Sequence, residues 1–203
     1  MNSSAQAITT AEPLPAPAAD DGAAAPRRAA VRRLATGVCV LTAAHQGAVH
    51  GTTVSAVSAV SRDPLLIGVC LRTGSTFTRL ATTAGRFTAN LLTNRQALVA
   101  DWFANPQRPA NYAQFALLDW RPDPATGAPA LRNTLATLSC RITASHPAGD
   151  HDLLIAEVVD GTTGPGSPLL NFDGRLFAAE IRELCERRSN RHDPARTSAT
   201  ALE

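Results

Sequence analysis

The stretch that most constrains this chain begins at His50-Gly51-Thr52-Thr53, alternates from Val54 to Ser61, and runs into Arg62-Asp63-Pro64-Leu65-Leu66. From Val54 onward apolar side chains alternate with hydroxyls or Ala, the period of a strand with one face in a core. Strands that face water usually carry long charged side chains. Here the polar face is built from Ser and Thr only, with no charge between Gly51 and Ser61. Two readings stand side by side. The face is a shallow, donor-rich seat for a flat polar ligand, or it is the outer face of an ordinary sandwich strand.

The rest of the chain supplies short strands around this one. Residues 1–25 are rich in Ala, Pro, Ser and Thr and show no apolar period, so they are expected to be a disordered tail. A domain is expected over 26–185 and a polar tail over 186–203. Pro26 to Ala35 reads as a helix with Ala30, Val31 and Leu34 on one face and arginines on the other. Gly37–Ala43 reads as a strand, and His45-Gln46-Gly47 as the turn into the organising strand. Pro64–Leu71 is a nearly continuous apolar run, the pattern of a strand buried on both faces. It ends at Arg72-Thr73-Gly74-Ser75-Thr76, just before a helix predicted over Phe77–Ala84. One Arg, three hydroxyls and a helix start suit a phosphate, and they suit a plain N-cap equally.

Gly85–Leu92 reads as a further strand with Phe87 set to pack or to stack, and Gln96–Phe103 as a helix. Asn105–Asn111 and Asp119–Pro129 read as loops. Leu131–Ala144 and Asp152–Val159 read as strands joined by the polar turn Pro147–His151. Leu169–Ile181 reads as a closing hairpin turning at Asp173-Gly174, after a turn region at Gly161–Pro168. Many short strands between Gly/Pro turns, with few helices, argue for a mainly β, closed antiparallel barrel.

Composition removes several classes of function. The 203 residues carry 19 basic and 17 acidic side chains, a net charge of +2, so no strong field draws the chain to nucleic acid or to a membrane surface. No apolar run approaches the roughly 20 residues that span a bilayer, and no secretory leader is visible, so a cytoplasmic location is expected. Cys39, Cys70, Cys140 and Cys185 form no CxxC pair and read as isolated thiols rather than a metal site. There is no G-x-S-x-G elbow, no G-x-G-x-x-G and no Walker A loop. What remains is the hydroxyl-lined strand, the Arg72–Thr76 loop and Asp150-His151.

Read together, Gly37-Val38, Val40-Leu41-Thr42, His50-Gly51-x-Thr53-Val54-Ser55, Ser58-x-x-Ser61, Asp63-Pro64, Gly85-Arg86-Phe87 and Gly149-Asp150-His151 resemble the flavin reductase-like family. The resemblance extends from about Arg27 to Leu184. It implies an FMN-binding split barrel of Greek-key topology with a few peripheral helices, usually a homodimer. It implies hydride transfer from NADH or NADPH to FMN or FAD, and delivery of reduced flavin to a partner monooxygenase. By position it implies flavin contacts from Thr53, Val54, Ser55, Ala56, Val57, Ser58, Ala59 and Ser61. It further implies contacts from Cys70, Leu71 and Arg72 with Ser75 and Thr76 near the phosphate, and from Phe87. His151 matches the histidine implicated in nicotinamide binding. Asn171, Phe172, Asp173 and Gly174 match the hairpin that also reaches the nicotinamide nucleotide. The chain departs from the family pattern at Leu65, Thr52 and Ala156. A flavoprotein with tightly held FMN and a non-enzymatic flavin-binding module are the competing readings.

Overall fold

The computed structural model describes residues 9–10 and 24–178. In chain order the elements are β1 (Thr9–Thr10), α1 (Ala24–Val31), β2 (Thr36–Gly37), β3 (Cys39–His45), β4 (Ala48–Val54), β5 (Val57–Arg62), β6 (Leu65–Arg72), α2 (Thr76–Ala84) and β7 (Arg86–Leu91). There follow α3 (Ala97–Ala104), a 3-10 turn (Asn111–Phe115), β8 (Trp120–Pro122), β9 (Pro129–Leu131), β10 (Ala136–Ala148), β11 (His151–Thr163), β12 (Leu169–Phe172) and β13 (Arg175–Ala178). The main sheet runs in the order β4-β3-β7-β10-β11-β6-β5, with β1 parallel to β10. The stretch expected as one strand is therefore two, broken at Ser55-Ala56. β4 pairs with β3 and β5 pairs with β6, at opposite edges of the sheet. Two residues connect those edges, so the sheet must curl until they meet, and the Cys70 N–H donates to the Ala56 carbonyl at the corner. This is the barrel that the strand count predicts.

The barrel interior is filled by alternate residues of each strand. Leu41 and Ala43 of β3, Val54 of β4, Ile67, Val69 and Leu71 of β6, Phe87 and Ala89 of β7, and Leu154 and Ala156 of β11 are all buried in one cluster. α2 closes one end with Phe77, whose ring meets Phe87 edge-on at 6.1 Å. Ser75 caps α2, its Oγ accepting the Thr78 N–H at 3.1 Å, and Gly85 in left-handed conformation ends it.

A second layer covers only part of the barrel's outside. Val40, Val49 and Leu92 pack beneath Ala100 and Phe103 of α3, with Phe115 and Leu131. The segment Asp119–Pro129, expected as loop, is bounded by the β8–β9 pair, docked by apolar contacts of Trp120 and Leu131 together with buried hydrogen bonds. Thr42 Oγ1 donates to the Pro129 carbonyl at 2.6 Å, and Asn90 Oδ1 accepts the Leu131 N–H at 2.8 Å. Gly51 is where this layer presses hardest on the barrel: a Cβ there would lie 2.5 Å from Phe103 Cε1.

β4 is an edge strand, and one buried side chain satisfies its free main chain. Gln114 Oε1 accepts the Gly51 N–H at 2.9 Å while its Nε2 donates to the Val49 carbonyl at 3.1 Å. Arg108 donates to the Gly51 carbonyl and lies 3.0 Å from His50 Nε2. Burial, with the Arg108 charge second, pushes the His50 imidazole down to about 4, so it stays neutral and accepts from the guanidinium.

Other expectations shift. The helix expected over 26–35 ends at Val31, and its apolar positions Val31 and Leu34 are 64% and 66% exposed, so no face of it is buried in this chain. The strand expected over Gly37–Ala43 is divided at Val38, whose N–H and carbonyl are taken by the Leu169 carbonyl and the Leu92 N–H. β10 and β11 are longer than predicted, because each sustains the other through a 13-residue antiparallel ladder with two bulges. Of the expected N-terminal tail, Thr9–Thr10 instead pairs with Ala144 and Ser145. The expected tail from 186 onward and Cys185 lie outside the described residues.

Two outcomes follow. Gly51→Ala overpacks a closed interior and should lower stability by about 1–3 kcal/mol in chemical denaturation. Adding Phe103→Leu should restore part of that loss. For His50 the unfolded state binds the extra proton between about pH 6.5 and about pH 4. Stability should therefore fall as pH drops through that window, and His50→Gln should flatten the slope by up to one proton.

Candidate active site

The covering layer occupies the outside of β3, β4 and β7, and among the described residues no such layer packs on the outside of β5, β6 and β11. Register fixes which side chains stand there. Arg72 lies across from His151, Cys70 from Leu153 and Gly68 from Ile155, while Ser58 lies across from Gly68 on the other side. In an antiparallel sheet directly opposed residues share a face, so Ser58, Gly68, Cys70, Arg72 and His151 form one continuous outer surface. Gly68 is itself buried, because neighbouring side chains close over it: a Cβ there would meet Val60 Cγ2 at 3.1 Å and Leu153 Cδ1 at 3.4 Å. β5 ends the sheet, and so it presents a free main-chain edge beside this surface.

At the rim the loop after β6 meets the turn between β10 and β11. The Thr73 N–H donates to the Asp150 carbonyl at 3.1 Å. Asp150 Oδ1 lies 2.7 Å from His151 Nδ1; an ionised carboxylate only accepts, so Nδ1 carries the hydrogen and Nε2 is left open. The His151 hydrogen bond, then the His151 and Arg72 charges, hold the Asp150 carboxyl below the usual range. The His151 side chain is 42% exposed and that of Asp150 84%, so the pair is within reach of a ligand. Arg72 makes no ion pair among the described residues. A cavity of about 470 Å³ beside the rim is lined by Gly74, Thr78, Ser145, Pro147 and Asp152.

Other predicted site residues are differently placed. Thr53 Oγ1 donates to the Ala100 carbonyl at 2.7 Å, so that hydroxyl braces α3. Val54 and Leu71 point into the barrel, as does Val57, and offer a ligand only main chain. Phe87 is fully buried against Phe77, so of packing and stacking it packs. The Ser75 hydroxyl is engaged by Thr78, the plain N-cap of the two readings, while Thr76 is exposed. Ser55 is half-buried at the corner; Ala56 and Ala59 are exposed, and Ser61 reaches the Asp63 carbonyl. Asn171–Gly174 turns on a separate three-stranded sheet, β13-β12-β2. Among the described residues no hydrogen bond or ion pair links it to the rim.

The sequence reading passed over Gly68, Val60, Leu153 and Ile155. Its clue was available, since a glycine inside an apolar strand marks a close approach. The run Pro64–Leu71 is fully buried only on its inner face; on the outer face Leu66 and Cys70 are half-buried. Two further cavities, of about 300 Å³ beside Thr134 and Thr162 and about 640 Å³ beside Asn94 and Ser167, contain none of the predicted residues. Burial pushes the Cys39 and Cys140 thiols up to about 12, which makes them inert, and no metal-binding cluster occurs among the described residues.

Removing the imidazole (His151→Ala) should let the Asp150 carboxyl titrate higher, toward the ordinary carboxylate range. Carbon-detected NMR titration of Asp150 measures this.

Comparison with known proteins adds a family to this geometry. Residues 31–180 match the model of the flavin reductase like domain. The chain is 46% identical over 187 residues to a NADPH-flavin oxidoreductase of Streptomyces viridifaciens, covering 92% of this chain and 94% of that one. It is 34% identical over 149 residues to the reductase component of a 4-nitrophenol 4-monooxygenase/4-nitrocatechol 2-monooxygenase of Rhodococcus opacus, covering 73% and 77%. Among solved structures, the NADH:FAD oxidoreductase SgcE6 of Streptomyces globisporus C-1027, in complex with NAD and FAD fragments, superposes with a TM-score of 0.72 at 25% identity. That match covers 84% of this chain and all of the other.

Proposed function

This chain belongs to the flavin reductase like domain family, and on that premise we propose that it is an NAD(P)H-dependent flavin reductase. It transfers hydride from reduced nicotinamide to FMN or FAD and releases the reduced flavin to a partner monooxygenase. The observation that carries the reading is the outer face of β5, β6 and β11, on which no other element packs among the described residues, with β5 at the end of the strand order and Arg72 and His151 at the rim. A flat heterocycle with donors and acceptors along one side fits such a strand edge, and an anionic chain fits Arg72 and the exposed Thr76. An open seat also suits a ligand that must leave. The cavity beside the rim touches only the end of this face, because a face is not a cavity until something closes over it. Val60 and Leu65, 54% and 50% exposed beside the seat, support a second copy of the chain as that cover, in a homodimer.

The bound flavin supplies the hydride-accepting ring and the nicotinamide supplies the hydride. No acid, base or nucleophile is needed from the chain. β5 and β6 orient one planar ligand by main chain and short side chains, and His151 Nε2 holds the nucleotide against it. Orientation of two reactants is worth about 7–11 kcal/mol when the geometry is ideal. Relatives are named both for NADPH and for NADH, so the choice of nucleotide falls to this chain's own residues. The cytoplasm is the proposed location; Cys39, Cys70 and Cys140 are free thiols, as a reducing compartment keeps them.

Purified protein mixed in air with NADH or NADPH and either FMN or FAD should oxidise the nucleotide only when flavin is added. Flavin binding without oxidation would leave a binding module, and yellow colour that survives dialysis would indicate tightly held FMN. In the His151→Ala variant the KM for the nucleotide should rise about 2- to 10-fold, the loss of one hydrogen bond, with kcat changed less.

A further inference from the structure

Four arginines gather where α1 meets the β12–β13 turn, and the barrel makes no use of them. The Arg32 N–H donates to the Arg28 carbonyl at 3.1 Å, so these two side chains, one helical turn apart, leave the same side of the helix end. The Asp173 N–H donates to the Arg32 carbonyl at 2.9 Å, which ties the helix end to the turn. The Arg33 guanidinium lies over the Phe172 ring, 5.5 Å from its centroid, and Arg175 stands directly across from Phe172 in the β12–β13 ladder. Phe177 meets Phe172 edge-on at 6.2 Å and is 43% exposed. Among the described residues none of Arg28, Arg32, Arg33 and Arg175 has a carboxylate partner.

Four cations that make no ion pair among the described residues, with the Asp173 carboxylate in the same turn and an exposed aromatic ring beside them, are complementary to a purine nucleotide carrying more anionic charge than a diphosphate. The ring offers a stacking surface, and guanidinium forks match a phosphate monoester with two bonds each. NADH and NADPH share the diphosphate bridge and differ by one such monoester, on the 2′ oxygen of the adenosine ribose. We propose that Arg33 and Arg175, supported by Arg28 and Arg32, bind that 2′-phosphate and make the chain prefer NADPH. The proposal rests on the reductase reading above, with the Asn171–Gly174 turn at the nucleotide. It gives the helix arginines a ligand in place of a solvated face.

The test uses the full chain and has one arm that needs no activity. Calorimetry compares adenosine 2′,5′-bisphosphate with adenosine 5′-monophosphate. Tighter binding of the bisphosphate is expected, with the advantage lost in the Arg33→Gln/Arg175→Gln double variant and reduced in Arg175→Gln alone. Kinetics at saturating flavin should show the NADPH-to-NADH ratio of kcat/KM fall about 10- to 100-fold in the double variant, the loss of charge-assisted phosphate contacts. Equal binding of the two probes by the unaltered protein, or an unchanged ratio in the variants, overturns the proposal. Oxidation of neither nucleotide defeats the reductase reading instead, and the calorimetric comparison still reads the arginine site.

Discussion

The fold depends on a main-chain constraint at Ser55-Ala56. A strand that pairs with β3 before this point and with β6 after it can satisfy both ladders only if the sheet bends into a barrel. Main-chain donors and acceptors left unpaired in an interior are costly, and the corner is where that cost would fall. The Cys70 N–H to Ala56 carbonyl bond meets it there. Everything else is arranged around the resulting cylinder: Phe77 and Phe87 fill one end, and alternate aliphatic residues fill the middle.

Asymmetry outside the barrel follows from how its two edges are treated. β4 is sealed, with Gln114 standing in for a neighbouring strand and Phe103 seated on the space that Gly51 leaves. Among the described residues nothing seals β5 in the same way. Its edge and the adjoining face of β6 and β11 keep main chain, small side chains and two ionisable groups open to a ligand. The same elements that stabilise one side by covering it leave the other uncovered among the described residues. The Arg33–Phe172 contact belongs to neither side. It lies on the small sheet β13-β12-β2, which explains why the Asn171–Gly174 turn and the His151 rim are separate within one copy.

Local chemistry made much of this legible. The turns at Gln46-Gly47 and Asp173-Gly174 have positive φ at both central residues, as two-residue hairpins require, and both were read from sequence. The N-cap at Ser75 and the buried run Ile67–Val69 were also legible, because short-range pattern decides them. What was not legible depends on distant partners. Nothing near Thr53 in sequence reveals that its hydroxyl is taken by Ala100, or that Phe87 faces Phe77 rather than a ligand. The β8–β9 pair was hidden among prolines because Thr42 and Asn90, from two other strands, are what hold it. The family resemblance singled out the segment 53–61 as a whole. Only strand register separates the residues of that segment that face outward from those that supply main chain.

Amide hydrogen exchange with and without FMN tests most directly whether the β5 edge is the flavin seat. Protection should increase over residues 55–61 and 68–72, with little change in α3 or β8–β9. Protection that rises instead around Asn94, Asn133 and Thr162, with 55–61 unchanged, would contradict the assignment and move the seat to the cavities lined by those residues.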